Sequence, residues 1–333
     1  MSDGPSARVP LSGMQGPALE AVDLGIRSND GWTLRNCSFV VPRGRIVALV
    51  GPNGDGKSSL LGLAAGLSTP AEGTLAVLGH SPGAASVLPR VGVLLQDRPL
   101  HDAFTVADTL RLGYEMNPGW DEDEARAVVK EADVPLGTRV SRLSGGQRTC
   151  IALALALGKR PDLLLLDEPM ADLDPLRRHA MMATLMRTVA DRNTTVVMSS
   201  HIIAELDLIC DYVLLMAHGR MLIADDTEFV QAAHTLVTYT LDEPGAEPRP
   251  PFHPDSNTVV ETRTSGRQAA AMVQLPTSLP PSVQTSSPAL DEILLAYLRN
   301  PRATQLLGSY ENTRRVHPGK LDRPEAPTDG SGA

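Results

Sequence analysis

Short apolar blocks alternate along this chain with longer stretches whose apolar residues recur every three or four positions. The blocks at 47–50, 91–95, 162–167, 194–199 and 212–216 have the length and near-continuous hydrophobicity of strands buried on both faces. Residues 60–65, 145–159, 175–191 and 202–210 carry the helical period. Ahead of the first block, residues 18–26 and 32–41 flank the turn Ser28-Asn29-Asp30-Gly31, which predicts a β-hairpin, and 73–78 reads as a further strand. Strands alternating with helices in this way predict an α/β domain with a mostly parallel, helix-covered sheet and an antiparallel β-subdomain.

Two regions break the alternation. Residues 106–116 and 122–132 read as amphipathic helices joined by Asn117-Pro118-Gly119-Trp120 with no strand between them, so about 97–143 is expected to be a helical subdomain. Beyond about Gln231, Pro244, Pro248, Pro250, Pro251 and Pro254 mark a linker-like stretch. Strand-like runs at 259–263 and 270–275 and the helix-like PALDEILLAYLR at 288–299 follow it. The expected organisation is a disordered 1–17, an α/β domain over 18–232, a small C-terminal accessory region over 233–300 and a disordered tail over 301–333.

Bulk properties narrow the function classes. A 333-residue chain of net charge −9 has material for one large domain or two ordinary ones, and its acidity argues against nucleic-acid binding as its main business. Cys37, Cys150 and Cys210 lie widely spaced in apolar segments, lack metal-ligand spacing and read as reduced core residues. No apolar run approaches the roughly 20 residues of a bilayer span, and the polar start MSDGPSARVPLSGMQGP lacks the apolar stretch of a secretory signal. A soluble, intracellular protein is expected.

The chemistry centres on GPNGDGKSS at 51–59, set between a strand block and a helix. That context makes G-x-x-x-x-G-K-[ST] a phosphate site rather than a glycine-rich turn that binds nothing. Gly51, Gly54 and Gly56 allow backbone conformations that a Cβ obstructs, so successive N–H groups can face phosphate oxygens. Pro52, Asn53, Asp55 and Ser59 complete the loop. Lys57 adds charge near the β- and γ-phosphates, and the Ser58 hydroxyl can ligate Mg²⁺.

A second constellation lies downstream. Leu143-Ser144-Gly145-Gly146-Gln147 opens a helix with Ser144 placed as its cap. Leu163-Leu164-Leu165-Leu166-Asp167-Glu168-Pro169 then delivers two carboxylates to a strand end, where open α/β sheets place ligands. In this order the motifs resemble the nucleotide-binding subunit of an ABC transporter, over roughly residues 18–230. The matching parts are a Walker A loop at 51–58, a Q-loop glutamine at Gln96, LSGGQ at 143–147, Walker B at 163–167 with Glu168, a D-loop at 171–174 and a switch histidine at His201.

The resemblance implies a P-loop NTPase cassette that binds ATP and Mg²⁺. Ser58, Gln96 and Asp167 would serve the metal, Glu168 would polarise the attacking water, and Gln96 and His201 would contact the γ-phosphate. It further implies that Ser144, Gly145, Gly146 and Gln147 meet the nucleotide of a second cassette, a homodimer mate or a paralogue, and that Asp174 of the D-loop contributes to nucleotide binding. The chain would work with an integral-membrane permease and sit peripherally on the inner face of the cell membrane. The helical segment and the C-terminal helix resemble bacterial exporters more than importers. Taken singly, Gln96 reads as a solvated loop residue, His201 as a cap or surface residue, Asp167 and Glu168 as a strand-end turn, and Asp172 and Asp174 as caps of the helix at Pro175.

Two departures from the family pattern stand out. The slot for an aromatic stacked on adenine falls on Ser28, with Trp32 four residues on as an alternative to core packing. Asp55 occupies a slot usually given to a small residue. A carboxylate about 6 Å from a phosphate charge repels it by roughly 3 kcal/mol at an effective dielectric of 20, so Asp55 is expected to point into solvent. Among the rival readings, a soluble translation factor would carry two cassettes, and a DNA-repair or chromosome-organising ATPase would carry a long coiled coil or zinc modules. A degenerate regulatory cassette is opposed by the intact Lys57, Glu168 and His201.

Overall fold

The computed structural model describes residues 16–28, 31–200, 209–243, 250, 258–274, 283–300 and 302–308. The chain runs β1 (Leu19–Ser28), β2 (Gly31–Val41), β3 (Ile46–Val50), α1 (Lys57–Ala64), β4 (Glu72–Val77), β5 (Val91–Leu94), α2 (Val106–Met116), α3 (Glu122–Glu131), α4 (Gly145–Gly158), β6 (Leu163–Leu166), α5 (Pro175–Arg192), β7 (Thr195–Ser200), β8 (Tyr212–Ala217), β9 (Arg220–Asp226), α6 (Thr227–Ala232), β10 (His234–Thr240), β11 (Val259–Ser265), β12 (Gln268–Gln274), β13 (Gln284–Ser286) and α7 (Leu290–Arg299). The helix expected over 202–210 lies outside the described residues except for its last two positions, which are not helical.

The central sheet has the order β5-β6-β7-β3-β8-β9, parallel throughout except that β9 runs antiparallel to β8. Every residue of β3 and β6 is buried, as strands covered on both faces require. Alternate side chains enter different cores: Leu163 and Leu165 join the cluster of α1 and the hairpin, whereas Leu164 and Leu166 join that of α4 and α5. The carboxyl ends of β3, β6 and β7 therefore open on one edge, in register through Val50↔Ser200 and Leu166↔Met198.

The antiparallel subdomain is β2-β1-β4, containing the expected hairpin. In the helical segment, Thr105 closes a capping box with Asp108 and the Asp121 carboxylate caps α3. The Trp120 ring fills the junction between the helices. A Cβ on Gly113 would lie 2.5 Å from it and one on Gly158 2.7 Å, so only glycine lets α2 and α4 approach it.

The C-terminal region is more regular than the sequence suggested. It holds a four-stranded antiparallel sheet, β11-β12-β10-β13, with α7 packed beside it. Neither β9 nor β10 had been anticipated as a strand. Residues 302–308, expected within a disordered tail, run along β9: Leu306 exchanges backbone hydrogen bonds with Leu222 and Ala224, both 2.8 Å. Their pairing supplies the edge partner that β9 would otherwise lack. The remaining disorder expectations, for 1–15 and 309–333, fall outside the described residues.

Candidate nucleotide site

The loop after β3 adopts the conformation its glycines predict. Gly54 and Gly56 have φ of 88° and 94°, and a Cβ on Gly56 would lie 2.6 Å from the Thr33 methyl. Lys57 opens α1 with its side chain buried, and its Nζ donates to the carbonyl oxygens of Gly51 (2.8 Å) and Pro52 (2.9 Å). Burial pushes the Lys57 ammonium down from its ordinary pKa, opposed by the negative charges of Glu168, Asp55 and Asp167. The loop thus presents backbone donors, a helix start and a partly desolvated cation to the sheet edge. Ser58 is exposed and Ser59 half-buried beside it, and Pro52, Asn53 and Gly54 form the exposed crest.

Asp55 does not point into solvent. Its Oδ2 accepts the His218 backbone N–H at 2.8 Å, tying the loop to the turn between β8 and β9. The bond anchors the carboxylate to the β8–β9 turn, while its charge still acts on Lys57.

Asp167, buried at 3% exposure, follows β6, and its backbone N–H donates to Leu94 at the end of β5. Its Oδ1 accepts from the Ser199 hydroxyl at 2.6 Å, and the same Ser199 oxygen accepts the Glu168 N–H at 2.8 Å. Glu168 has a left-handed φ of 46°, a conformation that costs a side-chain-bearing residue of order 1–3 kcal/mol. One fully buried hydroxyl therefore fixes the Walker B carboxylate and holds the strained residue next to it. Sequence reasoning had not singled out Ser199. Its signal is a serine directly after the apolar run Val196-Val197-Met198 of a buried strand, where a hydroxyl demands partners.

Gln96 is exposed two residues beyond β5 on the same edge. His201 lies outside the described residues. Ser144 caps α4 as expected, closing a capping box with Gln147 (3.2 Å and 3.1 Å), and Gly145 and Gly146 form the first turn. Asp174 accepts the Arg177 N–H at 3.0 Å ahead of Pro175, so it is the cap of α5. Among the described residues no hydrogen bond or ion pair links the α4 start to Lys57. The structure sets 51–59, 96, 167 and 168 with Ser199 along one sheet edge, and places 144–147 at the capped start of α4. Trp32 is 39% exposed, with the Arg35 and Arg27 guanidinium groups over its ring at 5.0 and 5.8 Å. It is a cation–π partner in this structure.

The donor set fits Mg²⁺ held jointly with a nucleotide. Ser58, Gln96 and Asp167 offer hard oxygens, and no group of three or more His, Cys, Asp or Glu among the described residues forms an all-protein cage. Magnesium typically takes one or two protein oxygens together with phosphates.

Comparison with known proteins agrees with this geometry. The profile of the ABC transporter family matches residues 34–171. The chain is 37% identical over 229 residues to the aliphatic sulfonates import ATP-binding protein SsuB of Burkholderia ambifaria, covering 66% of this chain and 69% of that one. It is 34% identical to the Nod factor export ATP-binding protein I of Rhizobium sp. strain N33, covering 61% and 69%. It is 38% identical to the ABC transporter ATP-binding/permease protein Rv1747 of Mycobacterium tuberculosis, of whose length it spans 23%. A solved ATP-binding subunit of an ABC transporter superposes with a TM-score of 0.59 at 26% identity, covering 65% of this chain and 92% of that one.

Proposed function

Because the chain belongs to the ABC transporter family as an ATP-binding subunit with an ATPase cassette, we propose that it powers export through a separate integral-membrane permease. The observation that carries the reading is the single sheet edge where the glycine loop, Lys57, Asp167 and Glu168 meet. In this reading the loop and Lys57 hold the phosphates, and Ser58 and Asp167 hold Mg²⁺, which supplies charge neutralisation when bound. Glu168 accepts a proton from the attacking water. Ser144, Gly145, Gly146 and Gln147 face the nucleotide of a second cassette, so two sites form when two copies meet head to tail.

No helix among the described residues is long and apolar enough to cross a membrane. In this reading a partner chain supplies the membrane path, with this subunit on the inner face. Leu112 and Met116, one turn apart on α2, are exposed at 42% and 70%, an apolar stripe on the helical segment suited to that partner. Export is favoured by the C-terminal helix, while the matched relatives include both directions. ATP-dependent uptake into inverted membrane vesicles containing the permease would support export, and uptake only into right-side-out vesicles would oppose it.

The enzymatic core of the reading is tested by two variants. Glu168→Gln should bind ATP as the wild type does and lose most turnover, about 100-fold or more. Lys57→Ala should weaken binding itself. Near-wild-type hydrolysis by Glu168→Gln would refute the assignment of the base.

A further inference from the structure

We propose that Arg98 is a positioning residue whose ion pair with Asp172 neutralises a carboxylate standing at the phosphate-receiving start of α4. The inference rests on the head-to-tail reading above and adds a residue that the motifs do not include. Arg98 lies two positions beyond Gln96, with its side chain only 11% exposed and its guanidinium paired with the Asp172 carboxylate. Its Nε is buried without a hydrogen-bond partner. Asp172 is thus the sole acid paired with this largely desolvated cation among the described residues.

Asp172 in turn sits against the first turn of α4. A Cβ on Gly145 would lie 3.4 Å from Asp172 Cβ and 3.5 Å from its Oδ2, and one on Gly146 would lie 2.9 Å from the Asp172 carbonyl oxygen. Arg177, the other cation beside Gly146, is engaged by Asp174. A helix start attracts anions, and Asp172 is an anion already stationed there. Unpaired, it would repel an arriving phosphate. Paired with Arg98, it adds no net charge yet still packs 171–174 against α4.

The same pair links three segments. Arg98 is held in its loop by a left-handed φ of 44° and by backbone bonds to Leu95 (3.1 Å) and from Leu100 (2.7 Å). Four residues on, Asp102 accepts from Arg148 of α4 at 2.8 Å. A shift of the Gln96 segment is therefore transmitted to the α4 start at two points, and at one of them it changes the charge an incoming nucleotide meets.

The test uses charge-removing variants of the full chain, Arg98→Gln, Asp172→Asn and the double variant, reading kcat, ATP affinity, thermal midpoint and salt dependence. Arg98→Gln should lower kcat about tenfold, with ATP affinity of the isolated chain unchanged, and added salt should narrow the deficit because screening weakens the exposed repulsion. Asp172→Asn should lose less activity than Arg98→Gln. The double variant should recover most of the activity that Arg98→Gln loses. A purely structural bond predicts equal losses in the two single variants, no recovery in the double and no relief by salt, and that pattern would overturn the proposal. So would wild-type kcat in Arg98→Gln. Should Arg98→Gln fold poorly, Arg98→Lys keeps the charge and must retain more activity than Arg98→Ala of equal thermal midpoint; equal activities would overturn it. A wild-type chain that hydrolyses no ATP would instead overturn the proposed function and this inference with it.

Discussion

At the scale of single residues, the site depends on Ser199, which donates to Asp167 and accepts from the backbone of Glu168. Removing its oxygen leaves one buried carboxylate oxygen and one backbone N–H without that partner, each worth about 1–3 kcal/mol when unsatisfied. Ser199→Ala is therefore expected to lower kcat at least tenfold with ATP affinity nearly unchanged, because the phosphate loop is untouched. Ser199→Thr, which keeps the hydroxyl and suits a strand, should retain most activity. Steady-state kinetics beside equilibrium ATP binding checks this, and equal activity in the alanine and threonine variants would dismiss the positioning role. The motif residues Lys57, Ser144 and Asp167 were legible in the sequence because each needs a fixed spacing and a strand-to-helix context. Ser199, Arg98 and the His218 backbone were not. They act through partners 32, 74 and 163 positions away, and local pattern carries no information about such pairing.

At the scale of elements, the strands buried on both faces and the capped helices followed from periodicity and cap chemistry, since neighbouring residues determine both. The strands β9 and β10 were less visible. β9 (Arg220–Asp226) is defined by its antiparallel partner β8 and by Leu306, far along the chain. α7 was legible because Leu290, Ile293, Leu294 and Tyr297 are buried at helical spacing. What anchors it was not: His234 Nδ1 lies 2.6 Å from the Val230 carbonyl, and its Nε2 lies 2.9 Å from the Tyr297 hydroxyl. A carbonyl only accepts, so Nδ1 carries the proton and Nε2 accepts from the phenol. Tyr297→Phe leaves Nε2 buried and unpaired and should cost about 1–3 kcal/mol. Burial also holds the His234 pKa below its usual 6.5. As pH falls through that value the unfolded chain takes up a proton that the folded one refuses, so stability is full above it and declines below it, by up to about 1.4 kcal/mol per unit. Denaturant titrations at pH 7.5 and 5.5 should show a smaller pH effect in His234→Gln than in the wild type; an identical effect would mean that other groups govern the acid response.

At the scale of the whole molecule, the proposed reading assigns each chain two half-sites. Lys57, Asp167 and Glu168 converge on one edge, whereas Ser144 and the start of α4 have no described bond to Lys57. Leu176, 80% exposed immediately after Asp174, adds an apolar contact on the surface that a second copy would cover. The interface would be held largely by nucleotide trapped between Lys57 of one copy and Ser144 of the other, so hydrolysis should loosen the pair and its block should preserve it. Glu168→Gln with Mg-ATP is expected to elute as a dimer in size-exclusion chromatography, and the nucleotide-free chain as a monomer. Adding Ser144→Arg places a bulky cation where α4 must approach and should return the ATP-bound variant to monomer with little change in ATP affinity, since the phosphate loop lies elsewhere. A dimer in every state would assign the contact to the C-terminal sheet and α7 instead of the nucleotide. A monomer in every state would assign closure to the permease or to a paralogous cassette.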